Sequence, residues 1–154
     1  MVMKWCVVLL TGLLSFTAFA AELNVDADDL WLRQSIPGQS NGAGFGIITN
    51  NGSQDVLLIG GTIAIAEDVE IHRHVREGEQ MRMEAMDALT IPAGQSLELQ
   101  PGGYHLMLMA LSEPLAVGDQ HELTLVFSDG ATLKVKIPVK ELVQRQESSH
   151  HRNH

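Results

Sequence analysis

The chain has 154 residues and a formal net charge of −9 at pH 7. This charge argues against nucleic-acid binding, because that function needs Lys and Arg side chains to neutralise phosphates. It suits a protein that attracts cations to its surface.

An export signal is predicted at the N-terminus. Lys4 precedes a short apolar run, and Ala18-Phe19-Ala20 fits a small-residue cleavage site. The run is too short for a stable membrane span, so we expect cleavage after Ala20, export of the protein and no membrane insertion afterwards. A buried N-terminal helix is the alternative. The only cysteine, Cys6, would leave with the signal, and it is not placed like a lipoprotein cysteine. The mature chain would then lack a thiol for a disulfide, for catalysis or for blue-copper ligation.

The mature chain predicts a single all-β domain. Short apolar runs are separated by turn residues rich in Gly, Pro, Asn and Asp, as in a β-sandwich or barrel. Asp129-Gly130 predicts a hairpin with a two-residue turn. We expect a signal at 1–20, the β-domain at 21–140 and a flexible polar tail at 141–154. The predicted strands are 30–34, 44–49, 55–60, 62–66, 70–75, 80–86, 96–100, 104–111, 121–128 and 131–139.

Methionine and histidine cluster in the middle of the chain. The five methionines that remain after cleavage lie at 81, 83, 86, 107 and 109, next to histidines at 72, 74 and 105. Residues two apart on a strand share a face, so His72 lies with His74, Met81 with Met83, and His105 with Met107. The spacing therefore predicts imidazole and thioether groups on common strand faces.

A hairpin at residues 71–84 would bring the first two strands together. If Glu77-Gly78 forms the centre of the turn, His74 lies opposite Met81 and His72 opposite Met83, with Cβ atoms about 4.5–5.5 Å apart. A third strand that carries His105 and Met107 to the same face would complete a set of four donors.

Two imidazoles and two thioethers form a selective set. Thioether sulfur favours Cu(I), imidazole suits copper or zinc, and structural zinc normally uses thiolate or imidazole. The set therefore indicates a site that holds Cu(I). The alternative is that Met81, Met83 and Met107 line the sandwich core, as methionine often does, with His72 and His105 as satisfied polar residues at its edge. Against it stand the charged Arg82 between Met81 and Met83, and the opposite-face set Tyr104, Leu106 and Leu108, which is better suited to the core.

The spacing of these residues resembles the signature of the periplasmic copper chaperones called PCu(A)C. Ten residues separate His72 from Met83, and twenty-one separate Met83 from His105-Leu106-Met107. The run Pro101-Gly102-Gly103-Tyr104-His105-Leu106-Met107-Leu108-Met109 is similar to the most recognisable segment of that family. In the N-terminal half the similar residues are Trp31-Leu32-Arg33, Pro37-Gly38, Ala43-Gly44-Phe45 and Thr49-Asn50. The resemblance spans nearly all of residues 30–139.

This resemblance implies a cupredoxin-like Greek-key β-sandwich without a blue-copper site. It implies one Cu(I) ion bound by His72, Met83, His105 and Met107. It also implies copper delivery to the binuclear copper centre of cytochrome oxidase, alongside a thioredoxin-like copper chaperone. The chain departs from the family at His74, where methionine is common. His74 is then either an exposed neighbour of the site or an auxiliary ligand.

Other histidines and other functions stay open. The tail histidines His150, His151 and His154 form either a second metal site or a solvated tail, and His121 is expected to be structural or exposed. Alternative functions are copper sequestration without a recipient and a purely structural or adhesive sandwich. No catalytic triad, carboxylate pair or open hydrolytic site is evident, so the sequence predicts a protein that is not an enzyme.

Overall fold

The computed structural model describes residues 23–142, and this part of the chain is built from eleven strands. The predicted signal at 1–20, Cys6 and the tail histidines lie outside the described residues. Within 23–142 no helix is long and apolar enough to cross a membrane. The strands are β1 (Val25–Asp26), β2 (Trp31–Arg33), β3 (Gly42–Asn50), β4 (Val56–Ile63), β5 (Asp68–Glu77), β6 (Gln80–Met86), β7 (Leu89–Ile91), β8 (Ser96–Leu99), β9 (Tyr104–Met109), β10 (Gln120–Phe127) and β11 (Thr132–Lys140).

Most neighbours in the sheet are distant in sequence. The order is β6-β5-β9-β3-β2-β11-β10-β4-β7, and a further pairing joins β4 to β5. Strands β5, β9, β3, β2, β11, β10 and β4 thus form a closed ring, in which only the β11–β2 contact is parallel. A closed ring leaves few open strand edges, because each of its strands has a partner on both sides.

The pairing of β4 with β5 closes the ring, and two adjacent glycines in β4 let the neighbouring backbones come close to it. A Cβ atom on Gly60, which has φ +140°, would lie 2.6 Å from the carbonyl oxygen of Val69, and one on Gly61 would lie 2.7 Å from that of Thr124. The separate strands predicted at 55–60 and 62–66 were wrong for this reason. The two glycines continue one strand, β4, instead of ending it.

The other predicted strands are confirmed to within a few residues at each end, whereas the short strands β1 and β7, with two and three residues, were missed. The hairpin at Asp129-Gly130 is confirmed, but its turn is longer than predicted. The Phe127 amide donates to the Ala131 carbonyl, which leaves a three-residue loop in which Gly130 has φ +86°. A type I turn followed by a left-handed glycine has this form.

The core is mostly aliphatic, with Phe127 among its buried side chains, and lies on the inner faces of the ring. Leu106 and Leu108 of β9 are 1% and 0% exposed, and Ile71 of β5 is 0% exposed. Met81 and Met83 are instead 58% and 50% exposed. The alternative in which methionines line the core is therefore wrong for Met81 and Met83, and the assignment of Leu106 and Leu108 to the core is confirmed.

The alternation along β9 can be tested by truncating adjacent side chains. We expect Leu108→Ala to lower the free energy of unfolding by about 2–5 kcal/mol, because it opens a cavity in the core. Met107→Ala should cost clearly less, since Met107 lies on the opposite, partly exposed face. Urea denaturation of both variants measures the difference. Equal losses would contradict the assignment of the two faces.

Candidate metal centre

The donor residues occupy three adjacent strands. Strand β5 lies between β6 and β9, with His72 opposite His105 of β9 and His74 opposite Met83 of β6. Met107 lies opposite Glu70. Residues paired or two apart in this way share a sheet face. The three strands therefore place all four predicted ligands, together with His74, on the outer face of the sheet.

The predicted hairpin register was wrong by two residues. His74 faces Met83 instead of Met81, and His72 faces Ala85 instead of Met83. The turn is centred on Gly78-Glu79, not Glu77-Gly78, because Gly78 has φ +65° and takes the first central position, as a type II′ turn requires. A shift of two keeps every side chain on its predicted face. Met83 therefore reaches His72 only as a diagonal neighbour, within range of a long side chain.

His105 is the most deeply placed donor. It is 3% exposed, and its ring centroid lies 6.2 Å from that of Phe45. Its Nδ1–H donates to the Gly103 carbonyl oxygen at 3.2 Å, and because a carbonyl can only accept, Nε2 carries the free lone pair. Burial lowers the pKa of His105, and its hydrogen bond to the Gly103 carbonyl opposes this effect only in part. A neutral imidazole with a free lone pair is the form that binds metals.

His72 is oriented by a carboxylate. Its Nε2–H donates to Oε2 of Glu70 at 2.6 Å, so its acceptor nitrogen is Nδ1. Carboxylates commonly hold metal-binding histidines in this way, fixing the ring and raising its basicity. Sequence reasoning missed Glu70, although its position two residues before His72 on the same strand was a usable signal.

Two histidine nitrogens on this face lack a partner. Among residues 23–142 the buried side-chain nitrogens without a hydrogen bond are Nδ1 of His72, Nδ1 of His74 and Nε2 of His121. The first two flank His105, with ring centroids 6.0 and 5.2 Å from it. A buried donor or acceptor without a partner costs about 1–3 kcal/mol. A metal ion at this face would supply the missing partner.

A cleft of about 500 Å³ opens over the donors. His74, Met83, His105 and Met107 line it, as does Arg33, whereas His72 lies outside the lining. Within residues 23–142, no three His, Cys, Asp or Glu side chains are close enough to hold a metal ion by themselves. The predicted set of four ligands does not require such a group, because two of its members are methionines.

The fold is that of a cupredoxin-like all-β protein, and this face of the sheet carries imidazole and thioether groups. The chain belongs to the family described as "Putative lipoprotein LpqE-like", whose model matches residues 25–139. "Putative lipoprotein Lxx21020" of Leifsonia xyli subsp. xyli (strain CTCB07) is 38% identical over 118 residues, which cover 76% of this chain and 70% of that protein. Both descriptions agree with the predicted export to the cell envelope.

Solved structures share the fold. The solution structure of CuI-DR1885 from Deinococcus radiodurans has a TM-score of 0.66 and 32% identity, and the match covers 81% of this chain and 84% of that one. The copper-bound PCuAC domain from PmoF2 has a TM-score of 0.64 at 24% identity, covering 77% and 93%, which shows a common fold. The resemblance to the PCu(A)C copper chaperones is confirmed, and with it the expectation of a protein that is not an enzyme.

Proposed function

We propose that this chain is a periplasmic copper chaperone that binds Cu(I) through His72, Met83, His105 and Met107. The observation that carries the proposal is the pair of free imidazole nitrogens, Nδ1 of His72 and Nε2 of His105, on a face that also presents two thioethers. Cu(I) prefers soft neutral ligands such as thioether and imidazole. The similar structure of CuI-DR1885 from Deinococcus radiodurans also supports the proposal.

The proposed ligands differ in their exposure to solvent, and this difference suits metal transfer. His105 is buried and Met107 half-buried, whereas Met83 is 50% exposed. A ligand from another protein can therefore replace Met83 first while His105 still holds the ion. We propose that the recipient is the copper-containing subunit of cytochrome oxidase or a thioredoxin-like copper chaperone. Sequestration of copper without a recipient is the alternative.

The ligand set is tested by competition with a Cu(I) chelator. We expect His105→Ala and Met107→Ala each to weaken Cu(I) binding by at least about 100-fold. Loss of a residue that only hydrogen-bonds to a metal ligand typically costs about 10–100-fold in metal affinity, and loss of the ligand itself should cost more. His74→Ala should have a much smaller effect. His121→Ala, on β10 and outside the cleft, is the matched control. Equal losses in all variants would contradict the ligand assignment, and X-ray absorption would count sulfur and nitrogen neighbours directly.

The role of Glu70 gives a second test. Glu70→Ala should lower the Cu(I) affinity by about 10–100-fold, because the His72 ring loses the group that orients it. Glu70→Gln should lose less, since its amide oxygen still accepts a hydrogen bond from His72. The control is Glu98→Ala, an exposed carboxylate on β8. If Glu70→Ala and Glu98→Ala behave alike, Glu70 does not support the site.

Delivery is distinguished from sequestration by a transfer experiment. Cu(I)-loaded protein is mixed with an oxidase subunit whose copper centre is empty, and copper is followed on both after separation. A chaperone should pass most of its copper to the subunit. Copper that stays on the donor would contradict delivery to this recipient and favour sequestration.

A further inference from the structure

Two cationic side chains lie together beside the cleft. Arg33 of β2 lines the cleft, and Lys140 of β11 lies directly opposite Arg33 in the parallel pairing of the two strands. The Gln34 amide donates to the Lys140 carbonyl oxygen at 2.9 Å, which holds the two strand ends together. Neighbouring strands lie about 4.7–4.9 Å apart, so the two side chains leave the sheet side by side. Arg33 and Lys140 are called the cationic pair below.

No acidic side chain of the described residues neutralises the cationic pair. The ion pairs that Arg and Lys form within residues 23–142 are Arg73–Glu84, Arg82–Glu77 and Lys134–Glu122. No described Asp or Glu lines the cleft either, although Asp and Glu outnumber Lys and Arg by 19 to 10 in the chain. Two like charges that face each other across paired strands destabilise a sheet. The cationic pair is therefore a positive surface that an acidic protein keeps at a cost to its fold.

The cationic pair lies next to exposed apolar side chains. Ile36 is 41% exposed and lines the cleft, as does the exposed Met83. The Gln39 amide donates to the Ile36 carbonyl oxygen, and Gly38 has φ +82°, so a type II turn holds Ile36 at the surface. A positive charge repels a bound copper ion, so Arg33 does not help the cleft to hold the metal. Arginine beside apolar side chains is instead typical of protein–protein interfaces.

We propose that the cationic pair and Ile36 form a docking surface for an acidic surface of the protein that receives copper. The proposal rests on the proposed function, because the recipient is the occupant of this surface. Charge complementarity selects an acidic partner, since opposite charges orient two proteins and raise their association rate by about 10–10³-fold. A recipient docked here would lie at the cleft that Met83 also lines, and Met83 is the most exposed of the proposed ligands.

The test measures how fast Cu(I) passes from the loaded protein to an oxidase subunit whose copper centre is empty. The docking variant combines Arg33→Glu with Lys140→Glu. The control variant combines Lys134→Glu with Lys136→Glu, which changes the net charge equally at exposed positions of β11. A strand rises about 3.3 Å per residue, so Lys136 lies about 13 Å from Lys140, beyond the Debye length of about 10 Å at 0.1 M ionic strength.

The docking variant should transfer copper at least about tenfold more slowly than the control variant at an ionic strength of about 0.1 M, set with sodium nitrate. The difference should shrink at about 1 M, where the Debye length falls to about 3 Å. Circular dichroism establishes folding, and competition with a chelator gives the Cu(I) affinity of each variant. Arg33→Gln with Lys140→Gln removes the charges without adding acids, and it should show a smaller loss of the same sign even if the docking variant does not fold.

Equal transfer rates for the docking and control variants would overturn the docking surface and leave the proposed function intact. A loss of Cu(I) affinity in the docking variant alone would place the cationic pair in metal binding and would also overturn the proposal. If the starting protein binds Cu(I) but transfers none, delivery to this recipient and docking fail together. If the starting protein binds no Cu(I), the proposed function itself fails, and the docking surface loses its occupant.

Discussion

The pairing of β5 with β9 is the constraint on which the site depends. It sets His72 directly opposite His105, and the period of two then puts Met107 on the same face and Leu106 and Leu108 on the other. The inner face contributes to the core, so β9 cannot slip by one residue without exposing its leucines to water and burying its donors. Burial of Leu106 and Leu108 in the core thereby also fixes where His105 and Met107 lie on the opposite face of β9.

The supports of the donors differ in kind. His105 is held by burial, by the ring of Phe45 and by a backbone carbonyl, whereas His72 is held by an acidic side chain that remains partly exposed. Met83 has solvent on one side. In the proposed site, a metal ion would thus contact a buried ligand, a ligand oriented by a carboxylate, a half-buried thioether and an exposed thioether. Such a gradient allows firm binding and stepwise ligand exchange within one small site.

Much of the fold could be predicted from local sequence pattern. The alternation of Tyr104, Leu106 and Leu108 with His105 and Met107 identified the inner and outer faces of β9 before any pairing was known. The sequence also predicted that the clustered histidines and methionines share one face, and the structure places them on one face of β5, β6 and β9. That they bind copper stays a prediction.

Which residues pair across neighbouring strands was harder to predict than where the strands lie. The hairpin register depends on which turn position Gly78 occupies, and glycine suits the first central position of a type II′ turn as well as either central position of a type I′ turn. The continuity of β4 through Gly60 and Gly61 depends on Val69 and Thr124, which are remote in sequence and approach only in the folded chain. The position of His74 likewise depends on Met83 and Gly103, which local pattern does not connect to it.

Strand β6 has a consequence for how copies of this protein behave towards one another. Among the described strands it pairs only with β5, so one row of its backbone amides and carbonyls is open. An open, apolar row of this kind would invite other chains to extend the sheet and aggregate. Arg82 and Glu84 alternate with the exposed methionines and put charge along the edge. The sequence can thus keep sulfur accessible to a metal while discouraging self-assembly at the same strand.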